Sequence, residues 1–168
     1  MIHVCSLSRL HDTVEETGAR HIVTLLRNTD QVVRPGTVRE ENHLVLSMDD
    51  IVAPMEGFEA PAQDHVERLI GFVSNWDRAT PLVVHCYAGI SRSTAGAFIT
   101  ACTLKPDRDE MQIAWALRSA SRTATPNARL VSIADRLLAR DGRMIRAIET
   151  IGPGEMAFEA SPFRLDLE

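Results

Sequence analysis

His85-Cys86-Tyr87-Ala88-Gly89-Ile90-Ser91-Arg92-Ser93 is the stretch on which the reading of this chain turns. The apolar run Pro81-Leu82-Val83-Val84 leads into it and the helix-forming run Thr94-Ala95-Gly96-Ala97-Phe98-Ile99 leads out. The order is therefore a strand, a tight loop and a helix start. In such a turn successive backbone N–H groups converge on one point, where the helix N-terminus adds positive potential. Cys86 stands at the strand end beside that anion site, and Arg92 offers a planar fork of donors suited to two oxygens of a phosphoryl group.

A thiol in that setting is shifted toward its thiolate, the form that attacks phosphorus. Gly89 is expected to let the backbone come close to a ligand. Ser93 is placed to donate its hydroxyl proton toward the sulfur, which eases departure of Cys86 from a thiophosphate. His85 is expected behind the loop, holding it through ring hydrogen bonds without moving a proton itself.

The pattern His-Cys-x-x-Gly-x-x-Arg-Ser resembles the signature loop of the cysteine-dependent protein tyrosine phosphatase superfamily, and its wording is nearest the small dual-specificity-like branch. The resemblance implies Cys86 as nucleophile, Arg92 as phosphate ligand and the amides of Tyr87, Ala88, Gly89, Ile90, Ser91 and Arg92 as the cradle. It also implies an Asp upstream as proton donor to the leaving oxygen, since poor leaving groups need a general acid.

Leu44, Leu46 and Met48 alternate as strand residues do, and two carboxylates follow them. Continuing the alternation favours Asp50, with Asp49 as the alternative acid. The Pro/Gly-punctuated segment 52–61 either borders the site or is a plain surface connection. Downstream, Thr125-Pro126-Asn127-Ala128-Arg129-Leu130 resembles the Pro-Asn-x-x-Leu step of dual-specificity phosphatases. There the Asn amide supports the phosphate loop from behind, and Asn127 also reads as an ordinary polar residue after a helix-starting Pro.

Around this centre the chain reads as an α/β fold: a small, mostly parallel sheet flanked by helices, dual-specificity-phosphatase-like. Ile2–Cys5 and His21–Leu26 read as strands. Ser8 is expected to cap a helix that runs to Thr17 and stops at Gly18. Helices are expected from Ala62 to Asn75, after the loop to about Lys105, from Asp109, from Pro126 to Leu138, and over Arg143–Ile151. Residues 1–168 are expected to form a single phosphatase domain, with 152–168 an irregular strap packed through Phe158, Phe163, Leu165 and Leu167.

A chain of 168 residues with 45% hydrophobic content is long enough to bury one sizeable core. A net charge of −5 and the absence of a basic cluster argue against nucleic acid or an anionic membrane as partner. Three cysteines without metal-ligand spacing argue against a disulfide framework and a metal site, so no cofactor is expected. Cys5 and Cys102 read as core residues, and a regulatory Cys5–Cys86 disulfide is the one pairing that the order of elements leaves open. A reducing cytoplasm fits a thiolate nucleophile, and Arg bias, with Lys105 the only lysine, fits a bacterial genome.

The partner implied is a phosphorylated protein or a small phosphomonoester; nothing sets the oligomeric state. Two other readings stand beside the hydrolase: a catalytically silent phosphate-recognition module, and a phosphatase of phosphoinositides or small phosphorylated metabolites. The first has no use for a nucleophile. The second sits poorly with Ala88 and Ile90, where lipid-directed relatives tend to carry lysine.

Overall fold

The structure, a computed structural model, describes residues 1–167. Among them, strands β1 (Ile2–Ser6), β2 (His21–Leu25), β3 (His43–Leu46), β4 (Leu82–Cys86) and β5 (Phe163–Leu165) form one sheet in the order β3-β2-β4-β1-β5. The first four run parallel and β5 lies antiparallel on β1. The mostly parallel sheet expected from sequence is what the chain forms.

Helix α1 (Leu10–Thr17) contributes Leu10 and Val14 to a small cluster with Cys5, Ile22 and Val83. Helices α2 (Gln63–Ser74), α3 (Arg92–Leu104), α4 (Glu110–Ala120), α5 (Ala128–Leu137) and α6 (Arg143–Ile151) supply the larger cluster, which takes in Val4, Leu82, Val84 and Cys86. Strand β4 is thus covered on both faces, which is why its sequence is a continuous apolar run and not an alternation. Helix α3 is buried from Arg92 through Cys102.

Three expectations are corrected. Ser8 caps nothing: it sits in a 3-10 turn, Leu7–Arg9, ahead of α1, and its hydroxyl meets Ser6 and Glu159. Strand β3 ends at Leu46, two residues before the alternation does, because its partner β2 ends opposite it at Leu25; Asp49 N then bonds the Glu59 carbonyl. The tail is not irregular throughout, since Phe163–Leu165 pairs with β1, and Phe158 is fully exposed, not packed. Leu165 and Leu167 do pack, whereas Glu168, the strap's last residue, lies outside the described residues.

A buried ion pair joins the helical side. Arg140 Nη1 lies 2.9 Å from Glu110 Oε1, and its Nη2 donates to the Cys102 carbonyl at 2.6 Å. Truncating Glu110 to Ala would leave the Arg140 charge buried without its partner. We expect a loss of about 3 kcal/mol in urea unfolding; an unchanged midpoint would show that water relieves Arg140.

Candidate active site

Strand β4 stops at Cys86 and α3 starts at Arg92, so the loop Tyr87–Ser91 closes a turn between them. Its carbonyls point outward to donors from separate parts of the chain. Leu7 N donates to Tyr87 O at 3.1 Å and Ala160 N to Ala88 O at 2.9 Å. Thr125 N donates to Ile90 O at 3.0 Å and Asn127 N to Ser91 O at 3.2 Å. The Thr94 hydroxyl adds bonds to Ile90 O at 2.6 Å and Ser91 O at 3.0 Å. Among the described residues, no protein acceptor takes the N–H groups of Tyr87 through Arg92. Peptide units whose oxygens are held outward turn their N–H groups inward, and that is an anion-binding nest.

Gly89 serves this geometry through a close approach on the outer side of the loop. It has φ +74°, and a Cβ there would lie 2.9 Å from the Cys5 carbonyl carbon and 3.0 Å from Ser6 N. What its lack of a side chain admits is the end of β1, outside the loop.

Cys86 and Ser93 are fully buried, with Sγ and Oγ 3.1 Å apart. Arg92 is buried too: its Nη1 donates to the Met48 carbonyl at 2.8 Å and its Nε has no partner in the protein. One edge of the guanidinium is therefore anchored to the chain after β3. A buried orphan donor beside a nest of amides is chemistry suited to an oxyanion.

The two carboxylates after β3 go different ways. Asp50 Oδ1 accepts from the Ser91 hydroxyl at 2.7 Å and from Asn127 Nδ2 at 2.8 Å, at the rim of the loop. Asp49 Oδ2 accepts from Glu59 N at 2.7 Å and sits 3.4 Å from Arg27 Nε. Asp49 thus closes the base of the segment 52–61, and Asp50 meets the loop. Asn127 does both things the sequence left open, with a change of partner. Its Oδ1 caps α5 by accepting from Leu130 N at 3.1 Å, and its main-chain N–H, not its amide, supports the loop. The amide is spent on Asp50 and on the Ile51 carbonyl at 3.3 Å.

His85 lies fully buried behind the loop, but its ring bonds β2 and not the loop as expected: Nε2 is 2.7 Å from Thr24 Oγ1, which also meets His43 Nε2 at 2.8 Å. Burial pulls the His85 pKa down to about 4, against a smaller opposing pull from the Cys86 backbone. Burial likewise pushes Cys5 and Cys102 up to about 12, which makes both inert thiols. Cys5 belongs to the α1 cluster and Cys86 to the α3 cluster, so their side chains leave the sheet on opposite faces. A disulfide between them does not follow from this fold.

A sequence profile described as "Tc-R-P: Polymorphic toxin system, DSP-PTPase phosphatase" matches residues 7–106. Solved structures share the fold. Human DUSP28 is 17% identical, with 83% of this chain and 88% of that one covered and a TM-score of 0.63. The human tyrosine phosphatase-like serine/threonine/tyrosine-interacting protein is 18% identical over 83% and 92% of the two chains, at 0.64. The PTP-2 phosphatase of Cydia pomonella is 16% identical over 80% and 84%, at 0.60. No curated protein matches the sequence.

The buried neutral ring of His85 predicts how stability responds to acid. An unfolded His protonates near 6.5 and the folded one only near 4. Stability contributed by the neutral ring is present in full above 6.5 and is lost as pH falls from there to about 4. His85→Asn should lower the slope of unfolding free energy against pH in that window by up to about 1.4 kcal/mol per unit. Equal slopes for the two proteins would show that His85 takes no part.

Proposed function

The chain belongs to this DSP-PTPase phosphatase family, and from that premise we propose that Cys86, Arg92, Ser93 and Asp50 carry out its phosphomonoester hydrolysis through a cysteinyl-phosphate intermediate. The Cys86 thiolate attacks phosphorus, forming the S–P bond as the P–O bond to the leaving group breaks. The amides of Tyr87 to Arg92 and the Arg92 guanidinium hold the phosphoryl oxygens, where charge builds in the transition state. Asp50 gives the departing oxygen its proton. Its Oδ1 is held by Ser91 and Asn127 and its Oδ2 is engaged by no described residue, so Oδ2 is the oxygen that carries it.

In the second half, water attacks phosphorus and passes a proton to the Asp50 carboxylate while the P–S bond breaks. The Ser93 hydroxyl, 3.1 Å from Sγ, donates a hydrogen bond to the sulfur as it leaves with the electron pair. His85 and Asn127 position the loop and the acid without touching the reacting atoms. The observation that carries this reading is the Ser91–Asp50 bond, which joins a carboxyl from the chain after β3 to the loop.

The substrate is a phosphorylated protein side chain or a small phosphomonoester. The family's description sets its members in polymorphic toxin systems, and we assign the chain to such a bacterial setting, in a reducing cytoplasm where Cys86 stays a thiol. Its free, buried Cys5 and Cys102 support that compartment. Residues 1–168 act as one phosphatase domain, a reading supported by the larger apolar cluster, which runs from Ile2 to Leu167.

Replacing each carboxylate in turn separates their roles. Asp50→Asn should lower kcat on the order of a hundredfold or more for alkyl phosphates, and far less for p-nitrophenyl phosphate, whose leaving group needs no acid. Asp49→Asn should stay within a few-fold of the parent on both. The reverse pattern would move the acid to Asp49, and turnover by Cys86→Ser at the parent rate would end the covalent route.

A further inference from the structure

After α6 the chain doubles back along the α4–α5 connection. Gly154 N donates to Thr125 Oγ1 at 3.0 Å and Glu155 N to the Arg122 carbonyl at 2.8 Å. A Cβ on Gly154 would lie 2.5 Å from the Thr123 carbonyl carbon, so a side chain there would push the strap off. The next main-chain tie is on the phosphate loop itself: Ala160, 4% exposed, donates to the Ala88 carbonyl. Between these two pins the segment Met156–Glu159 is exposed.

Phe158 is 104% exposed, an apolar side chain that adds nothing to the core. It lines a cavity of about 520 Å³ with Leu7, Ser8, Tyr87, Ala88 and Glu159. Tyr87 and Ala88 belong to the phosphate loop, so this cavity adjoins the cradle. Tyr87 is itself 65% exposed, which puts two uncovered aromatic rings in the lining of one cavity beside the loop. Glu159 is the one charged group in that lining. Its Oε1 accepts from the hydroxyls of Ser6 and Ser8, which fix the carboxylate and hold it below the usual carboxylate range. Arg9, the cation nearest in influence, is shared with Asp12 at 3.5 Å.

Resting on the assignment of the Cys86 loop as the phosphate cradle, we propose that the strap 154–160 is the substrate-selecting wall of the active site. Phe158 receives the apolar body of the phosphomonoester, and Glu159 turns away molecules that carry a second anionic group. The two pins make the wall ready-formed, so covering Phe158 releases water from its ring without first ordering a loose tail. A phosphoryl group in the cradle finds amides and Arg92. A second one directed along the strap finds a fixed carboxylate and, among the described residues of the cavity lining, no cation; Arg9 lies outside that lining and is shared with Asp12. Selection of this kind works by repulsion as much as by attraction.

Two phosphonates that share a head group test the first part: phenylphosphonate and methylphosphonate, read as competitive inhibitors of p-nitrophenyl phosphate hydrolysis. Phe158→Ala should raise the Ki of phenylphosphonate relative to methylphosphonate on the order of tenfold, and Phe158→Tyr should restore most of it. Glu159→Gln should lower the Ki of benzene-1,4-diphosphonate relative to phenylphosphonate about fivefold. Unchanged ratios in both variants would overturn the wall while leaving the cradle intact. If neither methylphosphonate nor orthovanadate inhibits the parent protein, the cradle assignment fails first and the wall falls with it.

Discussion

Four carbonyls of the turn Tyr87–Ser91, those of Tyr87, Ala88, Ile90 and Ser91, are held by donors from distant parts of the chain, and the proposed anion site depends on it. A peptide group is rigid and planar, so fixing its oxygen on one side fixes its N–H on the other. Leu7 follows β1, Thr125 and Asn127 precede α5, and Ala160 lies beyond α6. The convergent amides are therefore a property of the closed fold, not of the nine-residue motif alone. A peptide of that sequence would have its carbonyls on water and no reason to turn its N–H groups inward.

This division explains what sequence could and could not tell. Side chains with one chemical purpose were legible: Cys86, Arg92 and Ser93 at their offsets, and the unbroken Leu82-Val83-Val84 run that marks a strand buried on both faces. The backbone donors were not legible, because an N–H at position 7, 125 or 160 is supplied by any residue but proline. Asn127 shows the boundary between the two. Its importance was readable from Pro126-Asn127 and Leu130, but the target of its amide was not, because Asp50 arrives from across the sheet. The strand in the tail was a different miss. Phe163-Arg164-Leu165 does alternate, yet three residues carry little signal until β1 is known to offer an edge.

The neighbouring carboxylates lie beyond β3, where the chain has left the ladder and each finds its own partners. Once Met48 is buried and gives its carbonyl to Arg92, the two that follow part: Asp49 is held by Glu59 and Arg27, and Asp50 by Ser91. The link from Met48 to Arg92 matters for both, since it ties the Arg92 side chain to the segment that carries Asp50. A shift of that segment would move the guanidinium and the carboxyl together. In the proposed mechanism these are the two groups at opposite ends of the breaking P–O bond, and one bond from the Arg92 side chain to the Met48 main chain keeps them in register.

The matched profile ends at residue 106, and that limit separates two kinds of work in the chain. Inside it lie Cys86, the loop Tyr87–Ser91, both carboxylates and Arg92. Outside it lie the α5 cap that steadies Asp50 and the strap whose Phe158 and Glu159 stand beside Ala88. Among the described residues, the main-chain tie between the strap and the loop is the Ala160 N–H to the Ala88 carbonyl, a contact that does not depend on the side chains of residues 156–159. Residues 156–159 can therefore change without altering the positions of Cys86, Arg92 or Asp50. Substrate choice placed there is decoupled from chemistry, and a fully exposed Phe158, which contributes nothing to the core, is free to serve it.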